Sequence, residues 1–180
     1  MKGFMIAGVS SGIGKTTISM GLMSLFENVS PFKVGPDYID TTFHQFVTEN
    51  KSYNLDLFMM GEEGVKYSFY KHHKGISIVE GVMGLYDGID HSLDNNSSAH
   101  LARVLDLPVI LIVSGGGKST SIAAEVLGYK MLDSRVKIAG VIINRTTEAM
   151  YKHYKEAIEK YTGVECIGYL PKDESLSVSS

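Results

Sequence analysis

Tryptophan is absent from these 180 residues, cysteine occurs once and proline four times. The lone thiol, Cys166, excludes an intramolecular disulfide framework and any zinc or iron–sulfur centre built on several cysteines, and it fits a reducing compartment. An excess of positive charge is also missing. Seventeen Lys+Arg against twenty Asp+Glu leave a formal charge of −3, which argues against gripping a nucleic acid through a general basic field. Phosphate recognition must therefore be local. Long apolar runs are lacking too: the longest, residues 108–113, falls far short of the roughly 20 residues a membrane helix needs. The opening Met1-Lys2-Gly3 passes straight into Phe4-Met5-Ile6-Ala7, without the order of segments that marks a secretory leader. A cytoplasmic protein is expected, with no nucleic-acid partner and no membrane span.

What is present is a repeated alternation. Short apolar runs at residues 4–7, 32–34, 76–79, 108–113, 138–143 and 164–169 read as strands. They lack polar alternation, so both faces of the sheet should be covered, as in a parallel sheet flanked by helices. Helical stripes lie between them: Ile18, Leu22, Leu25 and Phe26; Ile122, Ala123, Val126 and Leu127; and Met150, Tyr154, Ala157, Ile158 and Tyr161. The expected fold is α/β, of the P-loop NTPase type, a mostly parallel sheet with helices on both faces. No linker or repeat divides the chain before the serine-rich ending 175–180, so residues 1–180 read as a single domain. The polar stretch 87–98 is expected to be a long surface loop ahead of a helix starting near Ala99.

The first run is followed by Gly8-Val9-Ser10-Ser11-Gly12-Ile13-Gly14-Lys15-Thr16-Thr17 and then at once by a helical stripe. Strand, glycine-rich loop and helix in this order make a phosphate-binding loop, although Val9 stands where the strict pattern has its first glycine. Loop N–H groups and the helix N-terminus would cradle phosphates, with Ser11, Gly12, Gly14, Lys15, Thr16 and Thr17 as nucleotide contacts. Lys15 would bridge the β- and γ-phosphates of ATP, and Thr16 would offer its hydroxyl to Mg²⁺.

Two further runs end in chemistry. Lys33-Val34-Gly35-Pro36-Asp37-Tyr38-Ile39-Asp40 follows one, and Glu80-Gly81-Val82-Met83-Gly84-Leu85-Tyr86-Asp87-Gly88 follows another. Ligands bind at the carboxyl edge of open α/β sheets, so Asp37, Asp40 and Glu80 should face the same crevice as the phosphate loop. Three carboxylates beside a triphosphate repel it unless Mg²⁺ lies between, so Thr16, Asp37, Asp40 and Glu80 are the candidate metal set. The competing role for the acids is capping of helices and turns. Lys33 is either a cation for phosphate or substrate carboxylate, or an ordinary surface lysine. His44, His91 and His100 lack metal-ligand spacing and read as structural or solvated, while His72-His73-Lys74 read as the polar end of a helix.

These motifs, together with Tyr53-Asn54-Leu55-Asp56, Gly140-Val141-Ile142-Ile143-Asn144-Arg145 and Gly168-Tyr169-Leu170-Pro171, resemble the ATP-binding half of the cobyrinic acid a,c-diamide synthase family. The wider group includes dethiobiotin synthetase and the partition-type ATPases. The resemblance spans essentially the whole chain and implies an ATP- and magnesium-dependent ligase of cobalamin biosynthesis. It would amidate the a- and c-side-chain carboxylates of cobyrinic acid through an acyl phosphate. Lys15, Asp37, Asp40 and Glu80 would then be catalytic. It implies Asn144 and Pro171 on the adenine side, with a turn-forming asparagine as the other reading of Asn144. Lys33, Tyr38 and Ile39 would face the corrin-type macrocycle, with an ordinary core role equally open for Tyr38 and Ile39. The motifs do not name the ring metal, so nickel-sirohydrochlorin amidation is the near alternative.

Ser10 stands where partition ATPases carry a signature lysine, which speaks against a non-catalytic, dimerisation-driven switch. A homodimer of another kind is left open. In the resembled family, of glutamine amidotransferase type, a glutaminase domain follows just beyond Leu170-Pro171-Lys172-Asp173-Glu174. It is absent from these residues, and Cys166, inside an apolar run, does not look like its nucleophile. The chain is expected to use ammonia without making it, and to depend on a glutaminase or another ammonia source. Replacing the phosphate-loop lysine, Lys15→Ala, should abolish Mg-ATP binding in a calorimetric titration, and retained affinity would sink the phosphate-loop assignment.

Overall fold

The computed structural model describes residues 2–172; the serine-rich ending and the end of the segment leading to an expected glutaminase lie outside the described residues. In chain order the elements are β1 (Lys2–Gly8), α1 (Lys15–Met23), β2 (Val29–Val34), α2 (Ile39–Thr48), β3 (Tyr53–Leu55) and α3 (Leu57–His72). Then follow β4 (Ile76–Gly84), α4 (Ser98–Val104), β5 (Val109–Ser114), α5 (Ser121–Leu132), β6 (Ile138–Asn144), α6 (Glu148–Thr162) and β7 (Cys166–Tyr169). The strands form one sheet in the order β3-β2-β4-β1-β5-β6-β7, and every pair is parallel.

The uninterrupted apolar runs have the expected cause. In β1, Met5 and Ala7 face one core while Ile6 faces another, and β5 repeats the division with Leu111 and Val113 against Ile112. One core lies under α3, α4, α5 and α6 and contains Val65, Phe69, Leu101, Ile122, Val126, Tyr154 and Ile158. The smaller core gathers Ile18 and Met23 of α1 with Ile6, Val29, Ile78, Ile112 and Ile142, and Val47 of α2 packs on its edge. Because a parallel strand covered on both sides has no solvent face, polar alternation would place unpaired side chains in a core.

Several expectations need correction. The strand Tyr53–Leu55 was not foreseen as one; three residues on a sheet edge are too short to show periodicity. The stripe through Leu25 and Phe26 does not continue, since α1 ends at Met23 and Leu25 is 74% exposed. Met150, Tyr161 and Leu127 are likewise substantially exposed, so their stripes bury one edge only. Helix α4 begins at Ser98, and the preceding loop is less superficial than its composition suggests. Asn95 is buried, its amide donating to the carbonyls of Tyr86 and Asp90, and Ser97 caps α4 by accepting from the His100 N–H. Buried Asn and Ser side chains here replace the backbone ladder that a loop lacks.

The register sets the site. Lys33 of β2 lies directly opposite Glu80 of β4, and β4 lies beside β1, whose end opens into the phosphate loop. At the middle of the sheet the chain winds outward in both directions from β1, which is where open α/β sheets hold ligands. The core under this edge is tight: Phe32 is fully buried, with its ring 5.0 Å from that of Phe69. Phe32→Ala should lower the unfolding free energy by about 3–5 kcal/mol in urea titration, with the slope unchanged.

Candidate nucleotide site

The loop after β1 has the backbone that close approach to an anion requires. Gly12 and Gly14 have φ of 68° and 98°, in the left-handed region where a Cβ is strained. At Gly14 a Cβ would also sit 2.3 Å from the Asn144 amide nitrogen. Helix α1 starts immediately after Gly14 with no side-chain cap, leaving first-turn N–H groups for an incoming acceptor. Distant parts of the chain hold the loop from behind. The Tyr129 hydroxyl donates to the Val9 carbonyl (2.7 Å), Asn144 Nδ2 to the Ile13 carbonyl (2.8 Å), and Arg145 Nη2 to the Gly12 carbonyl (2.9 Å).

Lys15 is nearly buried and donates to the carbonyls of Ser10 (3.0 Å) and Met83 (2.7 Å). Burial, then the nearby Lys33 charge, pulls its pKa below the ordinary lysine value, although Glu80, Asp40 and Asp87 oppose this. Among the described residues its hydrogen-bond acceptors are neutral carbonyls, so an anionic phosphate would be a stronger partner.

Beside it is a compact polar group. Thr16 Oγ1 donates to Glu80 Oε1 (2.8 Å) and lies 3.4 Å from Asp40 Oδ1. Lys33 Nζ bonds to Glu80 Oε1 (3.0 Å) and the Gly81 carbonyl (3.1 Å) and pairs with Asp40 Oδ2. Glu80 Oε2 meets His44 Nε2 at 2.7 Å, and His44 Nδ1 meets the Ser52 hydroxyl at 3.1 Å. Glu80, Lys33 and His44 are all buried. Burial alone would raise the Glu80 carboxyl, but the His44 hydrogen bond and the Lys33 ammonium outweigh it and hold it at about 2. Lys33 is shifted up: burial disfavours its charge, yet Glu80 and Asp40 favour it more. Asp40 is shifted up as well, by burial and the adjacent Glu80 charge, against the pull of Lys33.

The predicted residues therefore gather unevenly. Thr16, Asp40 and Glu80 converge at the loop. Asp37 stands at the same edge, but its Oδ1 accepts from the Ile39 N–H (2.9 Å) and Asp40 N–H (3.0 Å), the capping role its residue type also suggested. Lys33 is no surface lysine; it is enclosed, with its ammonium between two carboxylates. Tyr38 and Ile39 do not lie in the core: they are 81% and 58% exposed at the start of α2. Asn144 sits at the end of β6, where one of its amide hydrogens holds the phosphate loop and its Oδ1 accepts from the Arg145 N–H. Ser11 and Gly12 are exposed at the loop tip, Thr17 lies in the first turn of α1, and Pro171 is exposed beyond β7. Cys166 is buried in β7, and burial pushes its thiol up to about 11.

Sequence reasoning missed His44 and Ser52 as members of this group, and Tyr129, Arg145 and Asp87 as props of its loops. Asp87 accepts from the Gly84 N–H at 2.8 Å. For His44 a signal existed, since it lies four residues after Asp40 on one helix face. For Tyr129 there was none, because its partner is 120 positions away.

The residue pattern and this geometry agree with what sequence comparison finds. A family model described as the CobQ/CobB/MinD/ParA nucleotide binding domain matches residues 4–180. The chain belongs to that family. Among individual proteins it is 74% identical over 181 residues to a cobyrinate a,c-diamide synthase of Fusobacterium nucleatum subsp. nucleatum, matching 100% of this chain and 41% of that protein. A cobyrinate a,c-diamide synthase of Caldanaerobacter subterraneus subsp. tengcongensis is 51% identical, over 97% of this chain and 40% of its own length. The chain thus spans about two-fifths of the length of the curated relatives it matches.

Solved structures agree on the fold. HypB from Helicobacter pylori aligns with a TM-score of 0.61 at 14% identity, over 98% of this chain and 81% of its own. A ParA family ATPase from Chlorobium tepidum gives 0.56, also at 14% identity, over 97% and 86%. At such identities the likeness shows the P-loop NTPase fold alone. No helix among the described residues is long and apolar enough to cross a membrane.

The Glu80 shift has a definite sign. A folded-state value near 2 against 4.5 for the free side chain means that the unfolded chain takes up the proton first. The stabilisation is complete above about pH 4.5 and is lost as pH falls toward 2, an effect on the order of 3 kcal/mol that the upward shift of Asp40 partly offsets. Urea titrations between pH 6 and pH 2.5 should show this loss, and Glu80→Gln should flatten it.

Proposed function

We propose that this domain binds Mg-ATP and uses it to activate side-chain carboxylates of cobyrinic acid, the a- and c-acetates of a corrin ring, for amidation. Identity of 74% to a cobyrinate a,c-diamide synthase across the whole chain carries the proposal. The site supports it chemically, because everything gathered there suits phosphoryl transfer and little suits attack on carbon.

A carboxylate does not react with ammonia directly, since hydroxide is a poor leaving group. If a substrate carboxylate oxygen attacks the γ-phosphorus of ATP, ADP departs and an acyl phosphate forms; ammonia then attacks the acyl carbon and expels phosphate. Charge accumulates on the phosphoryl oxygens in the first step, and positioning with electrostatic stabilisation supplies most of the rate. Lys15, released from the Ser10 and Met83 carbonyls, would take the β- and γ-phosphate oxygens, and the N–H groups at the start of α1 would take the remainder. Magnesium, when bound, would neutralise the phosphate charge. The donor set fits it: Thr16 supplies a hydroxyl oxygen, with Asp40 and Glu80 within hydrogen-bond reach of that hydroxyl. Both Glu80 oxygens already carry protein partners, which suits a carboxylate holding the ion's water rather than the ion itself. Asp37 retains one oxygen outside its capping bonds and would face the same charge. The exposed Tyr38 and Ile39 offer an apolar edge beside these carboxylates to a flat macrocycle.

Nitrogen would come from glutamine through a glutaminase domain or directly from ammonia, in the cytoplasm. The raised thiol pKa and burial of Cys166 support assigning glutamine hydrolysis elsewhere. Incubation with Mg-ATP, ammonium and either cobyrinic acid or nickel-sirohydrochlorin should convert carboxylate to amide on the corrin, a loss of about 1 Da per site by mass spectrometry. Conversion of the nickel ring alone would reassign the substrate, and no conversion of either with ATP consumed would overturn the ligase.

A further inference from the structure

We infer that His44 is a positioning residue for the nucleotide site, fixing the Glu80 carboxylate through an arm that ends at Ser52. The inference rests on the Mg-nucleotide part of the proposed function and is independent of the macrocycle.

The two oxygens of Glu80 are divided between two environments. Oε1 faces the phosphate loop, where it accepts from Thr16 (2.8 Å) and Lys33 (3.0 Å). Oε2 points the other way, into the protein, where its partner is His44 Nε2 at 2.7 Å. A carboxylate can rotate about its last carbon–carbon bond, and a carboxylate that orients a metal-bound water has to present one lone pair in one direction. Outer partners of this kind commonly set the direction for ligand groups.

His44 is equipped for that role. It is 0% exposed and sits four residues after Asp40, so α2 delivers both side chains to β4 from one face. Its ring cannot turn freely, because Nδ1 is tied to the Ser52 hydroxyl, itself buried just before β3. A carboxylate oxygen accepts, so the 2.7 Å contact calls for the proton on Nε2. The arm thus runs from the residue before β3, through α2, to the carboxylate of β4 beside the phosphate loop. Simple satisfaction of a buried charge would need only a donor; the second anchor at Ser52 adds a fixed direction.

The test uses the full chain and titrates ATP calorimetrically at several Mg²⁺ concentrations. His44→Phe should raise the Mg²⁺ needed for half-maximal enhancement of ATP affinity by roughly 10-fold or more. His44→Gln, whose amide can donate from near the Nε2 position, should recover most of the loss. Ser52→Ala, which leaves Glu80 untouched, should fall between wild type and His44→Phe. If His44→Phe does not fold, the other two variants carry the comparison. In the wild-type chain without ligands, the ¹⁵N spectrum of the ring should show a protonated Nε2. A merely structural histidine would lower thermal stability while leaving the Mg²⁺ dependence where it was, and that result, or an unprotonated Nε2, would overturn the inference. A wild-type chain that binds ATP no better with Mg²⁺ would instead overturn the proposed function, and the inference with it.

Discussion

An ionised carboxylate with no solvent contact lies at the centre of the sheet's carboxyl edge, and the surrounding structure is arranged to keep it charged. Leaving a carboxylate buried and unpaired costs several kcal/mol, enough to remove much of a domain's stability. Glu80 avoids this because three elements reach it: Lys33 from β2, His44 from α2 and Thr16 from α1, with Ser52 holding His44 from behind. Asp40, drawn in by Lys33, completes a group with two carboxylates and one ammonium.

The same arrangement couples fold to function. Lys33 and Glu80 face each other only in the observed register of β2 and β4, and a one-residue slip would turn either side chain into the opposite core. The phosphate loop is likewise shaped from outside itself. Three of its carbonyls accept hydrogen bonds from Tyr129 of α5, Asn144 at the end of β6 and Arg145 just beyond it. With those carbonyls pulled backward, loop N–H groups can turn toward a ligand without needing to reorganise on binding.

Much of this was legible beforehand in the one-dimensional pattern. Six of the seven strands among the described residues, the parallel sheet covered on both faces, and the strand–loop–helix of the phosphate site follow from continuous apolar runs and from Gly12, Gly14, Lys15 and Thr16. The third strand did not show, because Tyr53–Leu55 is held by its edge pairing with β2 and not by any periodicity of its own. Leu25 and Phe26 extended a helical stripe on paper only, since both lie past the end of α1 and are exposed. The acids were recognisable as a group, yet the capping of α2 by Asp37 and the enclosure of Lys33 depend on where helix and strand ends meet.

Local sequence by itself determined the elements, the nucleotide-binding loop and the family, because these depend on spacing within about ten residues or on residue types in order. Tertiary structure alone decided the ionic state and orientation of the chemical groups. Glu80 stays ionised, Lys33 is an internal counter-ion, His44 belongs to the site and Asn144 steadies the loop, since each of these depends on a partner dozens of residues away and on the exclusion of water around the pair. Burial sets the cost of a charge and distance sets its compensation, and neither quantity exists until the chain has folded.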